Sequence, residues 1–233
     1  MKKVLVSDTI APEGIAIFKE APGIEVDVMT NLTPDELRGV IGEYDGLAIR
    51  SATKVTKEIV EAAKNLKVIG RAGIGIDNVD VPSASKRGIV VMNTPGGNTM
   101  TTAEHTIAMM FALARRIPQA TSSMKGGKWE KNKFMGSEVY NKTLGIIGLG
   151  RVGSVVAERA KGLMMNVIVH DPFIAPEAAE KMGITLVSMD DILKKSHFIT
   201  VHTPLTKDTK GLLNARTFAR MRDGVFIINC ARG

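Results

Sequence analysis

The sequence predicts an α/β protein built from two doubly wound parallel-sheet domains, residues 1–95 and residues 96–233. Two observations lead there. Short apolar runs, long enough for buried strands and too short for helices, alternate along the chain with segments of three- and four-residue apolar spacing, the pattern of parallel strands joined by crossover helices. Over residues 143–171, TLGIIGLGRVGSVVAERAKGLMMNVIVHD, one such strand runs into the glycines Gly148, Gly150 and Gly153. A helix, a second strand and the acid Asp171 then follow, all within the length of one βαβ unit.

In the first half, residues 3–7 (KVLVS) read as a buried strand. Residues 13–20 read as a helix with Ile15, Ile17 and Phe18 on its inner face, and residues 24–29 as an alternating strand. Thr33, Pro34 and Glu36 form a helix start with a capping box. Strands follow at 46–49, 68–70 and 89–92, separated by helices at 57–64 and 82–87. Ligands of such sheets sit beyond the carboxyl ends of the strands. Arg50 follows the third strand, and Arg71 follows the fourth and opens the glycine-rich turn Ala72-Gly73-Ile74-Gly75. One arginine at a strand end is commonly a surface charge; two at equivalent positions, beside free turn N–H groups, favour an anion site.

Asn93 to Asn98 is loop chemistry, and Thr101 with Glu104 is expected to cap a long helix bridging the two halves, with Ala103, Ile107, Met110, Phe111 and Ala114 as its apolar face. His105 within it reads as a structural histidine. Residues 126–136, GGKWEKNKFMG, lack periodicity and hold the only tryptophan, so they are expected to form a loop or an interface arm. Beyond Asp171, strands are expected at 184–187, 198–201 and 225–228, with helices at 190–195 and 215–221.

Each part of the glycine segment has a physical task. Gly148 permits a tight turn, Gly150 lets a pyrophosphate approach the backbone, and Gly153 lets helix and strand pack closely. The helix start presents unpaired N–H groups and the positive end of its dipole to the phosphates. Asp171 can accept hydrogen bonds from both ribose hydroxyls and would repel a 2′-phosphate, and Pro172 and Phe173 follow it rather than an arginine. The cofactor expected in this Rossmann half is therefore NAD rather than NADP.

Composition fits an ordinary globular protein: of 233 residues, 44% are hydrophobic and 24% charged, with mean hydropathy +0.07. No apolar run approaches a membrane span, and MKKVLVSDTI enters a strand without the marks of a signal peptide, so a cytoplasmic protein is expected. Cys230 is the only cysteine, in keeping with a reducing compartment. Lysine and arginine exceed aspartate and glutamate by 31 to 24, a formal +7, read either as a basic solvated surface or as a cleft attracting an anionic substrate and cofactor. Scattered basic residues and 4% aromatics argue against nucleic acid. No metal ligand is assigned.

The order of motifs resembles the D-isomer-specific 2-hydroxyacid dehydrogenases, and most closely their D-3-phosphoglycerate branch. It rests on RSATKVT at 50–56, GRAGIGIDNVD at 70–80, NTPGGNT at 93–99, GKWEKNKFMG at 127–136, GLGRVG at 148–153, VHTPLT at 201–206 and NCARG at 229–233. The resemblance implies a flavodoxin-like substrate domain before the NAD domain, and NAD-linked oxidation of 3-phosphoglycerate to 3-phosphohydroxypyruvate. Arg232 matches the family arginine that binds the substrate carboxylate and polarises the carbonyl. Arg50, Arg71 and Asn98 match substrate-holding positions; Ile74 and Thr203 match the nicotinamide end. Arg151 and Val152 match residues over the pyrophosphate, and Cys230 and Ala231 the strand end under the nicotinamide. Lys131 lies in the arm that, in relatives, reaches across a dimer interface, so a homodimer is implied. The family's acid/base histidine and its glutamate come after the arginine matched by Arg232, and His105, His170, His197 and His202 match no catalytic position. The chain therefore reads as a fragment with an incomplete Rossmann half and an exposed sheet edge.

Overall fold

Among the described residues, 1–232 of the computed structural model, every strand pairs in parallel with its neighbours. The chain divides into two compact units, Met1–Asn98 and a second from Thr99 onward. The first contains β1 (Lys2–Val6), α1 (Pro12–Glu20), β2 (Ile24–Val28), α2 (Pro34–Val40), β3 (Gly46–Ile49), α3 (Lys57–Ala62), β4 (Val68–Arg71), α4 (Val81–Lys86) and β5 (Val90–Asn93). Its sheet has the order β2-β1-β3-β4-β5. The order reverses between β1 and β3, the flavodoxin-like arrangement, and that switch point is where the fold opens a crevice. Central strand β3 is buried at every residue, and Leu5, Leu47, Ile49 and Ile69 interlock with Ile41, Ile59 and Val60 from the covering elements.

The second unit contains α5 (Thr99–Ala114), α6 (Ile117–Lys125), β6 (Thr143–Ile147), α7 (Arg151–Gly162), β7 (Asn166–His170), α8 (Pro176–Lys181), β8 (Thr185–Leu186), α9 (Met189–Lys195), β9 (Phe198–Val201), α10 (Ala215–Phe218) and β10 (Phe226–Asn229). Its sheet has the order β10-β9-β6-β7-β8, the Rossmann order with its switch point between β6 and β9. One face of the sheet packs on α5 and α7 through Met110, Ala114, Ile146, Val156, Ala160 and Phe198. The other packs on α9 through Ile147, Ile192, Leu193 and Ile199.

Several expectations need correction. Ile17 is 70% exposed rather than on the inner face of α1. Ile15 and Phe18 are three residues apart and share a face, whereas position 17 lies about 200° round the helix from position 15. Thr101 and Glu104 do not cap α5, which begins two residues earlier at Thr99. Glu104 instead accepts a hydrogen bond from Arg159 on α7, Nη1 to Oε1 at 3.0 Å, so a tertiary ion pair took the residue that local capping would have used. Nor does α5 bridge the halves; it lies wholly within the second unit. Its apolar face is as expected, with Ala103, Met110 and Ala114 buried. His105 is exposed on the opposite side rather than structural. Helices α6 and α8 were not foreseen, because neither buries more than a thin stripe. The 126–136 segment holds one 3-10 turn at Lys131–Phe134, and Trp129 in it is 76% exposed.

Glycine fixes how closely α7 approaches β6. A Cβ at Gly153 would run into the carbonyl oxygen of Gly148, while one at Gly162, near the end of the same helix, meets nothing within 4 Å. Gly153→Ala is expected to destabilise the protein by about 1–3 kcal/mol, and Gly162→Ala to stabilise it by up to about 1 kcal/mol. Urea midpoints moving in the same direction for both would refute this account of the contact.

Candidate functional site

The second unit presents a cradle at its switch point. At the carboxyl end of β6 the chain turns at Gly148, with φ +93°, and its N–H donates to the carbonyl of His170 at 3.0 Å. A side chain there would press on Thr203 Cγ2 at 3.0 Å and the His202 carbonyl carbon at 3.1 Å, so the turn is wedged against the segment that leaves β9. Gly150 is the N-cap of α7 and has no side-chain cap. A Cβ added to it would meet nothing within 4 Å, so the backbone face there is open while that of Gly153 is filled. Arg151 is exposed at the first turn, with Val152 half-buried behind it.

Asp171 follows β7 and is half-buried. Its Oδ2 accepts from the Leu149 N–H at 2.7 Å and its Oδ1 from the Phe173 N–H at 2.9 Å. One carboxylate thus braces the glycine turn from the neighbouring strand end and keeps lone pairs for diol hydroxyls. The described residues fit a dinucleotide: free N–H groups at a helix start, an open backbone surface at Gly150 and an acid beside them. Further along the same sheet edge, the turn after β10 is closed by Ala231 N–H to Asn229 Oδ1 at 3.0 Å and Asn229 Nδ2 to the Arg232 carbonyl at 2.8 Å. Cys230 packs against the core and Arg232 is exposed.

The first unit has its own site at the ends of β3 and β4, where Ile49 and Arg71 are register partners. Arg50 exposes its side chain, while Arg71 is only 9% exposed. Arg71 Nε donates to the Arg50 carbonyl at 3.1 Å. Its Nη1 is buried without a hydrogen-bond acceptor and lies 4.0 Å from Asp77 Oδ1, the outer limit of an ion pair. A buried guanidinium N–H left in this way is costly unless an acceptor arrives, which fits an anionic ligand. Ile74, in the next turn, is held through its carbonyl by Asn93 Nδ2 at 2.6 Å. Asn98 is exposed, and so is Lys131 in its 3-10 turn.

Sequence reading passed over two groups and left a third without a role. Asp8, 5% exposed, accepts from the Arg50 N–H at 2.5 Å and from the Thr53 hydroxyl at 2.7 Å. Asn78 donates to the carbonyls of Arg50 and Thr53 at 2.8 and 2.7 Å. Their signal was position alone: Asp8 stands just past β1, at the switch point of its sheet. The third is His202, whose Nε2 lies 2.9 Å from Thr200 Oγ1; burial pushes its imidazole down to about 4. His170 and His197 are likewise bonded to the fold, through the Val187 carbonyl at 3.1 Å and the Thr143 N–H at 3.1 Å.

Comparison with known proteins places residues 107–233 in the family described as D-isomer specific 2-hydroxyacid dehydrogenase, NAD binding domain. The D-3-phosphoglycerate dehydrogenase of Archaeoglobus fulgidus is 53% identical over 231 residues, covering 99% of this chain and 44% of the relative. That of Synechocystis is 52% identical over 233 residues, covering 100% and 42%. The chain thus spans less than half the length of these curated relatives. Among solved structures, NAD+-bound 3-phosphoglycerate dehydrogenase of Entamoeba histolytica superposes with TM-score 0.82 at 34% identity, covering 99% of this chain and 72% of that one. The Aquifex aeolicus D-lactate dehydrogenase complexed with NAD and lactic acid gives 0.88 at 28%, covering 100% and 69%.

The depressed imidazole of His202 has a consequence for stability. Its unfolded value is about 6.5, so the neutral folded form contributes fully above that pH and its contribution is lost as pH falls from there to about 4. The loss is expected to reach at most about 3 kcal/mol. Urea titrations of the parent and of His202→Asn between pH 7 and about 4 should show the steeper fall in the parent; parallel curves would refute the assignment.

Proposed function

The chain belongs to the D-isomer specific 2-hydroxyacid dehydrogenases, and from that premise we propose that it works as part of an NAD-dependent phosphoglycerate dehydrogenase. The reaction is oxidation of 3-phospho-D-glycerate to 3-phosphohydroxypyruvate, the step that opens serine synthesis. Bound NAD would supply the hydride acceptor for the hydroxyl-bearing carbon. The chain's residues bind and orient. Gly148, Gly150, Arg151, Val152 and Gly153 hold the pyrophosphate at the start of α7, and Asp171 accepts from the ribose diol. Thr203, Cys230, Ala231 and Ile74 bound the nicotinamide end. Arg232 forks onto the substrate carboxylate and draws charge from the carbonyl, a task suited to a planar guanidinium. Arg50, Arg71 and Asn98 hold the rest of the substrate, so residues 1–95 serve mainly the substrate and residues 96–233 mainly the cofactor, with Asn98 and Arg232 added to the substrate side from the second and Ile74 to the nicotinamide side from the first.

The observation that carries the phosphorylated substrate is the arginine pair at one sheet rim, with the buried Nη1 of Arg71 lacking an acceptor. The hydroxyl proton needs a base, and general acid–base assistance is worth a factor of about a hundred to ten thousand. His170, His197 and His202 are engaged in the fold and His105 is exposed on α5 on the side away from the core, so we assign that base to none of the four. We further propose a cytoplasmic homodimer formed through α5, α6 and the 126–136 arm. Exposed Met109, Ile117, Met124, Trp129 and Met135 support a covered apolar surface there.

The test is NADH oxidation by the full-length protein with 3-phosphohydroxypyruvate and, in parallel, with unphosphorylated hydroxypyruvate. Arg50→Ala is expected to raise KM for the phosphorylated substrate roughly ten- to a hundredfold, the worth of one charged hydrogen bond, with a much smaller effect on hydroxypyruvate. Equal effects on both would discard the phosphate assignment and point to glycerate, lactate or another hydroxy acid.

A further inference from the structure

The first unit holds an acid that the proposed reaction does not use. Asp8 lies two residues past β1 and is 5% exposed. Its Oδ2 accepts from the Arg50 N–H at 2.5 Å and the Thr53 N–H at 3.2 Å, and its Oδ1 from the Thr53 N–H at 3.1 Å and the Thr53 hydroxyl at 2.7 Å. Since the Thr53 hydroxyl proton goes to Asp8, the contact with Ser7 Oγ at 2.9 Å is donated by the serine. From the other side, the Arg50 carbonyl accepts from Arg71 Nε at 3.1 Å and Asn78 Nδ2 at 2.8 Å. Both backbone polar groups of Arg50 are therefore taken by side chains from other parts of the unit, at the crevice where its sheet reverses order.

We propose that Asp8 is a positioning residue for substrate binding: it fixes the main chain at Arg50 so that only the exposed guanidinium is left to adjust to an anionic group. The proposal rests on the reading of Arg50 given above. A loop that merely had to be closed could be closed by neutral acceptors, and a buried carboxylate carries a desolvation cost that a serine or asparagine would avoid. What a carboxylate adds is acceptance at both oxygens, with no proton of its own to turn toward a donor. Asp8→Asn keeps the shape but must face an NH2 toward either the Arg50 N–H or the Thr53 N–H. Either choice loosens one end of the loop while leaving the apolar core intact.

The experiment compares Asp8→Asn, Arg50→Ala and the double variant in the full-length protein, measuring KM and kcat for 3-phosphohydroxypyruvate, NADH affinity by fluorescence, and melting temperature. Asp8→Asn is expected to raise KM roughly tenfold, since small misplacement of a binding group is that costly. NADH affinity should stay unchanged, and the double variant should be no worse than Arg50→Ala alone, because the acid acts through the arginine. The proposal is overturned if Asp8→Asn folds with an unchanged KM, or if it multiplies KM as much in the Arg50→Ala background as alone. If Arg50→Ala itself leaves KM unchanged, the phosphate reading falls and takes the proposal with it. Should Asp8→Asn fail to fold, Thr53→Val, which removes one donor to the acid, is judged by the same criteria.

Discussion

The structure depends on one close approach, the seating of the first turn of α7 on the end of β6. The carbonyl oxygen of Gly148 occupies the space that a side chain at Gly153 would need. If the helix stood off by the width of a methyl group, its leading N–H groups would no longer face the crevice between β6 and β9, and Val156 and Ala160 would lose their contact with the sheet. Packing and anion binding are thus two results of the same missing side chain.

Both sheets solve a shared problem in the same manner. A switch point is a gap between diverging chains, and its loops have backbone donors that no strand can satisfy. In the first unit Asp8, just past a strand, takes the N–H of Arg50 in the loop after the neighbouring strand. In the second, Asp171, just past the end of β7 and so one strand away from the switch point, takes the N–H of Leu149 in the glycine turn that borders it. Each acid ties two strand ends together at the place where a ligand would enter. Charge-assisted bonds from backbone N–H groups are shorter and stronger than neutral ones, which suits a site whose geometry must persist while it is empty.

The sheets were legible in the sequence because parallel strands buried on both faces are written as short apolar runs, as at Gly46–Ile49 and Phe198–Val201. The glycine turn and Asp171 were legible through spacing. What escaped did so for definite reasons. The start of α5 was displaced because Glu104 is bonded across to Arg159, a partner 55 positions away that no local pattern reveals. Asp8 was passed over since one acid among polar neighbours has no periodicity, and its partners are more than 40 positions distant. Ile17 misled because hydrophobicity was read without its angle on the helix. Arg50 and Arg71 were recognised as a pair, but the sequence could not tell that one is exposed while the other is buried and spends its Nε on its partner's carbonyl.

Among the described residues, the core of the first unit draws only on residues between Leu5 and Val91, and the cores of the second only on residues from Ala103 onward. Neither borrows a strand from the other. During synthesis the five strands described for the first sheet are therefore all present once β5 has left the ribosome, and they can pair while the glycine turn is still untranslated. Since domains generally fold as units, the earlier one first, the five strands of the first sheet need not wait for any strand of the second.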